Sequence, residues 1–213
     1  RSEAPSDDTV LLHVRTNDSG VDIVQCARTR VCLGGEVIEP DRATELGERR
    51  AAQTLSVAVG QGEQLVVEKV VSLFTSRDDG VYSPSVAARH AAFVAPGFDE
   101  LLERHVTSWA HAWNRCRISL DGDVGHTARV LNLHIFHLLQ TVSKNTAEID
   151  AGVPARGLHG EAYRGHIFWD ELFIFPFLTL RIPELTRSLL RYRARRLDRA
   201  REAAAAEGFA GAM

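Results

Sequence analysis

The spacing of apolar and polar positions changes period once along this chain. Up to about residue 76 the apolar residues run in short, β-branched stretches. "TVLLHVRT" (9–16) and "VDIVQCARTRVCL" (21–33) read as strands, with the turn cluster "NDSG" between them. "QTLSVAVG" (53–60) alternates apolar and polar residues, "GQG" punctuates it, and "QLVVEKVVSLFTS" (64–76) follows. That pair predicts an antiparallel hairpin. The polar stretch "PDRATELGERR" (40–50) predicts a loop or a short helix. About five strands are visible in all.

Asp-Gly, Pro and Ser in "SRDDGVYSPS" (76–85) mark a boundary, and the period is helical beyond it. Ser83 as N-cap and Pro84 in the first turn open one helix, which closes at Pro96-Gly97. "FDELLERHVTSWAHAWNRC" (98–116) puts Leu101, Leu102, His105, Trp109, Ala112 and Trp113 on one side of a second. "RISLDGD" (117–123) predicts a short strand and turn. Residues 125–143 form a helix that is apolar almost all round and so is expected to be buried on several sides. After a Gly/Pro-bearing loop (144–160), helices resume at about 169–181 and 184–206, with Gly208 as a C-cap glycine. Strands followed by helices argue for an α+β chain in two units rather than an alternating α/β domain.

Composition narrows the function classes. A net charge of −3 gives no electrostatic basis for gripping nucleic acid. The one basic run, residues 187–201, interleaves its arginines with Leu189, Leu190, Tyr192 and Leu197, which is the pattern of a solvated helix face. No apolar segment approaches the roughly 18 uncharged residues that span a bilayer, and "RSEAPSDDTVLL" lacks the apolar core of a signal peptide. The three cysteines, Cys26, Cys32 and Cys116, form no CxxC pair, so reduced, mostly buried thiols and a cytoplasmic location are expected. No partner in nucleic acid or membrane is expected.

Phosphate-binding, dinucleotide-binding, HExxH and GxSxG motifs are missing from the sequence. His134 and His137 lie three apart on one helix, but no third ligand joins them, and core or surface histidines are the better reading than a metal site. The stretch "GLHGEAYRGHIFWDELFIFPFL" (157–178) stands out. Gly157, Gly160 and Gly165 permit sharp turns or close approach. Arg156, Glu161, Arg164 and His166 supply donors and acceptors, Trp169 a flat apolar face, and Asp170 a carboxylate at a helix start. A pyranose needs this mixture: an aromatic ring for its C–H faces and bidentate polar partners for its hydroxyls. An inter-helix loop whose charges pair with one another would use the same residues. Glu161, Asp170 and Glu171 are the candidates for paired glycosidase carboxylates. Asp170 and Glu171 are adjacent, so on a helix they point about 100° apart and would not flank one bond.

"RGLHGEAYRGHIFWDELFIFPFL", then "PELTRSLLRYR" and "AREAAAAEGFAGAM", resembles the start of the catalytic domain of glycoside hydrolase family 65. "NLHIFHLLQT" resembles the first long barrel helix of that family. The resemblance covers most of the chain and is most specific over residues 156–213. It implies that residues 1–80 are the tail of a β-sandwich, 81–120 a helical linker, and 121–213 the first helices of an incomplete (α/α)6 barrel. It implies inverting cleavage of an α-glucosidic disaccharide, trehalose- or maltose-like. Either inorganic phosphate attacks the anomeric carbon or a carboxylate activates water, with no cofactor and no metal. Trp169 and Asp170 would line the subsite of the cleaved glucose, with Arg164, Gly165 and His166 as neighbours.

The family motif commonly reads Phe-Trp-Asp-Thr-Glu-Ile-Phe before its proline. Here Trp169-Asp170 runs into Glu171-Leu172-Phe173, one residue shorter, which blurs the place of Glu171. The family's general acid lies well downstream of this motif, so no catalytic residue is assigned in this chain. Twelve barrel helices need on the order of 250 residues. About three follow residue 120, so the chain is expected to be the middle of a larger enzyme and inactive alone. Its exposed apolar helix faces are expected to make it a homo-oligomer or to associate it with the rest of its parent. A non-catalytic carbohydrate-binding module and a purely structural helical domain are the alternatives.

Overall fold

The structure is a computed structural model and describes residues 1–122, 125–147, 149–157, 160 and 163–211. The chain folds into two compact units, Arg1–Val106 and Thr107–Met213.

The first unit is built on seven antiparallel strands: β1 (Ser2–Ser6), β2 (Thr9–Arg15), β3 (Asp22–Leu33), β4 (Glu36–Ile38), β5 (Asp41–Gly47), β6 (Arg50–Ser56) and β7 (Leu65–Thr75). The long β3 organises five of them into one sheet, while β5 and β6 pair with each other as a separate two-stranded sheet. Along one edge it pairs with β2, from Thr9↔Arg28 to Arg15↔Asp22, and then with β4. Along the other it pairs with β7 over its length, from Ile23↔Thr75 to Leu33↔Leu65. Gly34 and Gly35, at φ 60° and 91°, make the two-residue turn into β4, a geometry that needs positive φ at both positions.

Helix α1 (Pro84–Val94) lies on one face of this sheet. Its Ala88 and Ala92 pack on Leu11, Val24 and Cys26, all buried. The small alanines let the helix come close enough for Ser72 Oγ to donate to the Ala88 carbonyl at 2.7 Å. Arg28 is buried from the sheet and donates to the carbonyls of Phe93 and Ala95, both at 2.7 Å. A buried cation here satisfies orphan carbonyls and meets the negative end of the helix dipole. Ser83 caps the other end, as its sequence position predicts. Burial pushes the Cys26 and Cys116 thiols up, and all three cysteines are free thiols.

Three sequence expectations fail in this unit. The stretches 53–60 and 64–76 do not form a hairpin with each other, because β6 pairs with β5 and β7 with β3. An eleven-residue strand leaves a row of backbone groups that a seven-residue β6 cannot satisfy but a twelve-residue β3 can. Residues 41–47 are a strand, not a loop or helix. Strand β5 is exposed along nearly all its length, so no apolar alternation announces it, and a tight reversal at Glu48-Arg49 closes it onto β6. The short β1 and β4 also escape a reading based on apolar runs.

The second unit is helical. The C-terminal half of α2 (Phe98–Cys116), α3 (Thr127–Thr141), α4 (Glu171–Arg181) and α5 (Pro183–Ala194) surround its core, and α6 (Leu197–Ala206) follows. Cys116, Ile135, Val142, Val153, Leu178, Ile182, Leu185 and Leu189 form the buried cluster. Trp109 packs on Phe136 with ring centroids 5.2 Å apart, joining α2 to α3.

Residues 117–120 are not a strand. Ile118 is held by a side chain instead: Asn132 of α3 accepts from its N–H at 3.0 Å and donates to its carbonyl at 2.8 Å. The long helix expected over 184–206 breaks at Arg195-Arg196 into α5 and α6. Helix α3 is not buried all round: Ile135 is its buried residue, while Val130, Leu131 and Leu133 are exposed. Only one face of it meets α2 and the core cluster. Among the described residues, no helix is long and apolar enough to cross a membrane.

Candidate functional site

Asp170 is the N-cap residue of α4, with helical φ −55° and ψ −31° and no capping bond from its side chain. It stands instead on a cleft of about 210 Å³ in the second unit. The other walls are His134, His137 and Thr141 of α3, the segment Val153–Gly157, and Ile174 of α4. The carboxylate sits where the free N–H groups of the first helical turn favour negative charge. Arg156, the two imidazoles and the Thr141 hydroxyl, which donates to the His137 carbonyl, are the other polar side chains of the lining.

The other predicted residues do not line this cleft but form an exposed strip that precedes Asp170 in the chain. Tyr163, Arg164 and Gly165 have φ of 55°, 53° and 71°, a left-handed turn. Two non-glycine residues in that region cost about 1–2 kcal/mol each. Local bonds offset this. His166 donates from its backbone N–H to the Tyr163 carbonyl at 3.0 Å and from Nδ1 to the same oxygen at 2.6 Å. A carbonyl can only accept, so Nδ1 carries a proton. Tyr163 meets Phe168 edge-on at 5.5 Å, and His166 stacks on the same ring at 6.1 Å. Trp169 is 66% exposed, with its ring 5.0 Å from that of Phe173. Its open face can receive the C–H surface of a sugar.

Glu171 takes the opposite direction from its neighbour. It is 1% exposed. One carboxylate oxygen accepts from the Val153 N–H at 2.8 Å, and the other pairs with Arg193 Nε of α5 at 2.7 Å. Glu171 therefore points into the structure while Asp170 lines the cleft, and the two do not flank a common bond. Glu161, the third carboxylate considered, lies outside the described residues. The exposed His134 and the half-buried His137 belong to the cleft, a placement that their reading as core or surface residues left open. Their i, i+3 spacing puts them on one helix face, and that was the available signal. Among the described residues, no group of three or more His, Cys, Asp or Glu is placed to hold a metal.

Besides the Glu171–Arg193 pair, two more ion pairs among the described residues brace this unit. Arg196 grips Asp150 with two bonds of 3.0 Å, and Arg195 adds a third contact at 3.1 Å. Arg115 holds Glu184 at 2.7 and 3.3 Å. The Arg196 guanidinium holds the Asp150 carboxyl below its usual range, and Arg115, helped by the Glu184 backbone N–H, does the same for Glu184. Carboxyls with depressed folded-state pKa values stabilise the fold above their unfolded values, about 3.9 and 4.3, and that contribution is lost as pH falls through the folded values. Denaturant midpoints are therefore expected to fall between about pH 4.5 and 3. Asp150→Asn should flatten that dependence, at a cost of about 1 kcal/mol or less at pH 7 for a half-exposed pair.

The family model described as "Glycosyl hydrolase family 65, N-terminal domain" matches residues 1–112, and that for the "central catalytic domain" matches residues 132–213. An uncharacterized glycosyl hydrolase of Mycobacterium tuberculosis strain H37Rv is 44% identical over 206 residues, covering 97% of this chain and 15% of that protein. Kojibiose phosphorylase of Caldanaerobacter subterraneus subsp. tengcongensis is 38% identical over 175 residues, 81% of this chain and 22% of that enzyme. The chain thus spans less than a quarter of these relatives. A solved structure named "Putative kojibiose phosphorylase from human microbiome" shares the fold, with a TM-score of 0.72 at 17% identity, over 96% of this chain and 26% of its own.

Proposed function

The chain belongs to glycosyl hydrolase family 65, and on that premise we propose that it is part of an inverting phosphorylase of an α-linked glucose disaccharide. The observation that carries the reading is the cleft-lining Asp170, uncommitted to capping its helix, beside the exposed face of Trp169. Asp170 accepts from two hydroxyls of the glucose to be cleaved, Arg156 and the histidines complete its polar contacts, and Trp169 stacks on the ring. Arg164, Gly165 and His166, on the exposed strip before Asp170, are assigned as neighbours of this subsite. An oxygen of inorganic phosphate then attacks the anomeric carbon from the face opposite the glycosidic oxygen. That C–O bond breaks, a general acid protonates the departing oxygen, and β-glucose 1-phosphate leaves. The general acid is assigned to a part of the protein outside this chain. Phosphorolysis is preferred to hydrolysis because relatives bear the names of kojibiose, trehalose 6-phosphate and nigerose phosphorylases.

The same reading takes residues 1–80 as part of a β-sandwich, 81–120 as a linker and 121–213 as the opening of an (α/α)6 barrel. The likeness in fold to the solved structure supports this. It also takes the protein as cytoplasmic. The exposed Val130, Leu131 and Leu133 of α3 support association with a second copy or with the remainder of the parent.

The test is turnover by the full-length protein of kojibiose, trehalose, trehalose 6-phosphate, nigerose and maltose, with and without inorganic phosphate. Phosphate-dependent release of glucose 1-phosphate from one of them is expected. Cleavage of none, or cleavage indifferent to phosphate, would sink the assignment. The 213-residue chain alone should turn over none of them.

A further inference from the structure

Asp170 is fixed by its position at the start of α4, yet the wall facing it in sequence terms, Val153–Gly157, belongs to a loop without regular structure. One buried side chain ties the two together. Glu171 accepts from the Val153 N–H with one oxygen and from Arg193 Nε with the other. Arg193 also donates from Nη2 to the carbonyl of Phe168, the residue before Trp169. Three segments thus meet at one ion pair: the loop wall of the cleft, the strip that carries Trp169 and Asp170, and helix α5. The join is tight. A Cβ added to Gly152 would lie 2.6 Å from Ile167 Cδ1, 3.0 Å from Glu171 Oε1 and 3.0 Å from Tyr192 Cε1. Loop and helix approach one another as closely as a glycine allows.

A carboxylate so deeply buried and so fully engaged is not available to substrate. Burying its charge is costly unless it is paired and hydrogen-bonded, and here Arg193 and the Val153 N–H supply both partners, so these three groups are held to one geometry. We propose that Glu171 and Arg193 are positioning residues of the sugar cleft, which set the separation between Asp170 and the Val153–Gly157 wall and so determine how tightly a pyranose is held. This rests on the reading of the cleft as the glucose subsite.

The experiment uses the full-length protein with Glu171→Gln, which keeps the volume and an acceptor for Val153, and with Arg193→Ala and Arg193→Lys on the half-exposed partner. Steady-state phosphorolysis is measured across pH. Amide hydrogen exchange of peptides covering 150–157 and 166–171 is measured without substrate. Glu171→Gln and Arg193→Ala are expected to raise KM about tenfold with kcat within twofold and the pH profile in place. Exchange of the two peptides should speed by tenfold or more while α5 holds, and Arg193→Lys should recover most of both effects. The double substitution should be no worse than the worse single one. A fall in kcat with a displaced pH profile would make Glu171 a group that acts on the reacting atoms, and overturn the proposal. Unchanged exchange in both peptides, or exchange accelerated throughout the unit, would also overturn it. If the unaltered protein cleaves no glucoside, the reading of the cleft falls, and exchange alone then tells whether the pair joins the two segments.

Discussion

Asp170→Asn is expected to lower kcat/KM of the full-length protein for its α-glucoside by about a hundredfold while leaving the fold in place. Hydrogen bonds to a charged acceptor contribute about 1.5–3 kcal/mol, against about 1 for neutral pairs. Asparagine keeps the shape but loses the charge and one acceptor, since its nitrogen is donor-only. Losing the difference on two sugar hydroxyls amounts to about 3 kcal/mol, or roughly two factors of ten. The side chain makes no capping bond. Stability should therefore change only by the helix-dipole contribution, about 0.3–1 kcal/mol. Kinetics and a denaturant titration on the same preparation separate the two effects. A drop in stability that accounts for the lost activity would remove Asp170 from the sugar site.

The second large effect is on stability. Leu178→Ala should destabilise the helical unit by about 2–5 kcal/mol, the range for deleting a buried leucine side chain from a packed core. Leu178 is 0% exposed and stands in the cluster with Ile135, Val153, Leu185 and Leu189. Set against the 5–15 kcal/mol that holds a typical domain together, that is a large share. Leu180, two residues on, is 83% exposed. Its replacement by alanine should stay within about 0.5 kcal/mol. Equilibrium denaturation of the two variants side by side checks the contrast. Equal effects would mean that α4 is turned the other way about its axis.

That contrast also marks where sequence reasoning reached its limit. "ELFIFPFLTLR" is apolar almost throughout, so it announces a helix without saying which side is inward. The structure turns Glu171, its only acidic residue, to the core and leaves Leu172, Phe173 and Leu180 outside. A rule that puts charge outside and leucine inside would orient this helix wrongly, because the partners that make Glu171 tolerable come from Val153 and Arg193, about twenty residues away on either side. In the strip before Trp169 a turn at Gly165 could be read from the glycine itself, whereas the left-handed Tyr163 and Arg164 beside it carried no such signal. The cleft was not legible. Its walls come from α3, from 153–157 and from α4, and no local signal brings His134 and His137 to Asp170.

The amino-acid sequence by itself determined the change from strands to helices near residue 80, the helix starting at Ser83-Pro84, the helix beginning after Asp170 and the family motif around Trp169. These follow from periodicity, capping and short-range chemistry, which act within a few residues. Only the tertiary structure decided that β7 pairs with β3 rather than with β6, that a polar run becomes β5, and that of two adjacent carboxylates one lines the cleft and the other is sealed beneath it. Strand pairing and burial are settled by which distant groups satisfy backbone and charge, and those partners lie tens of residues apart.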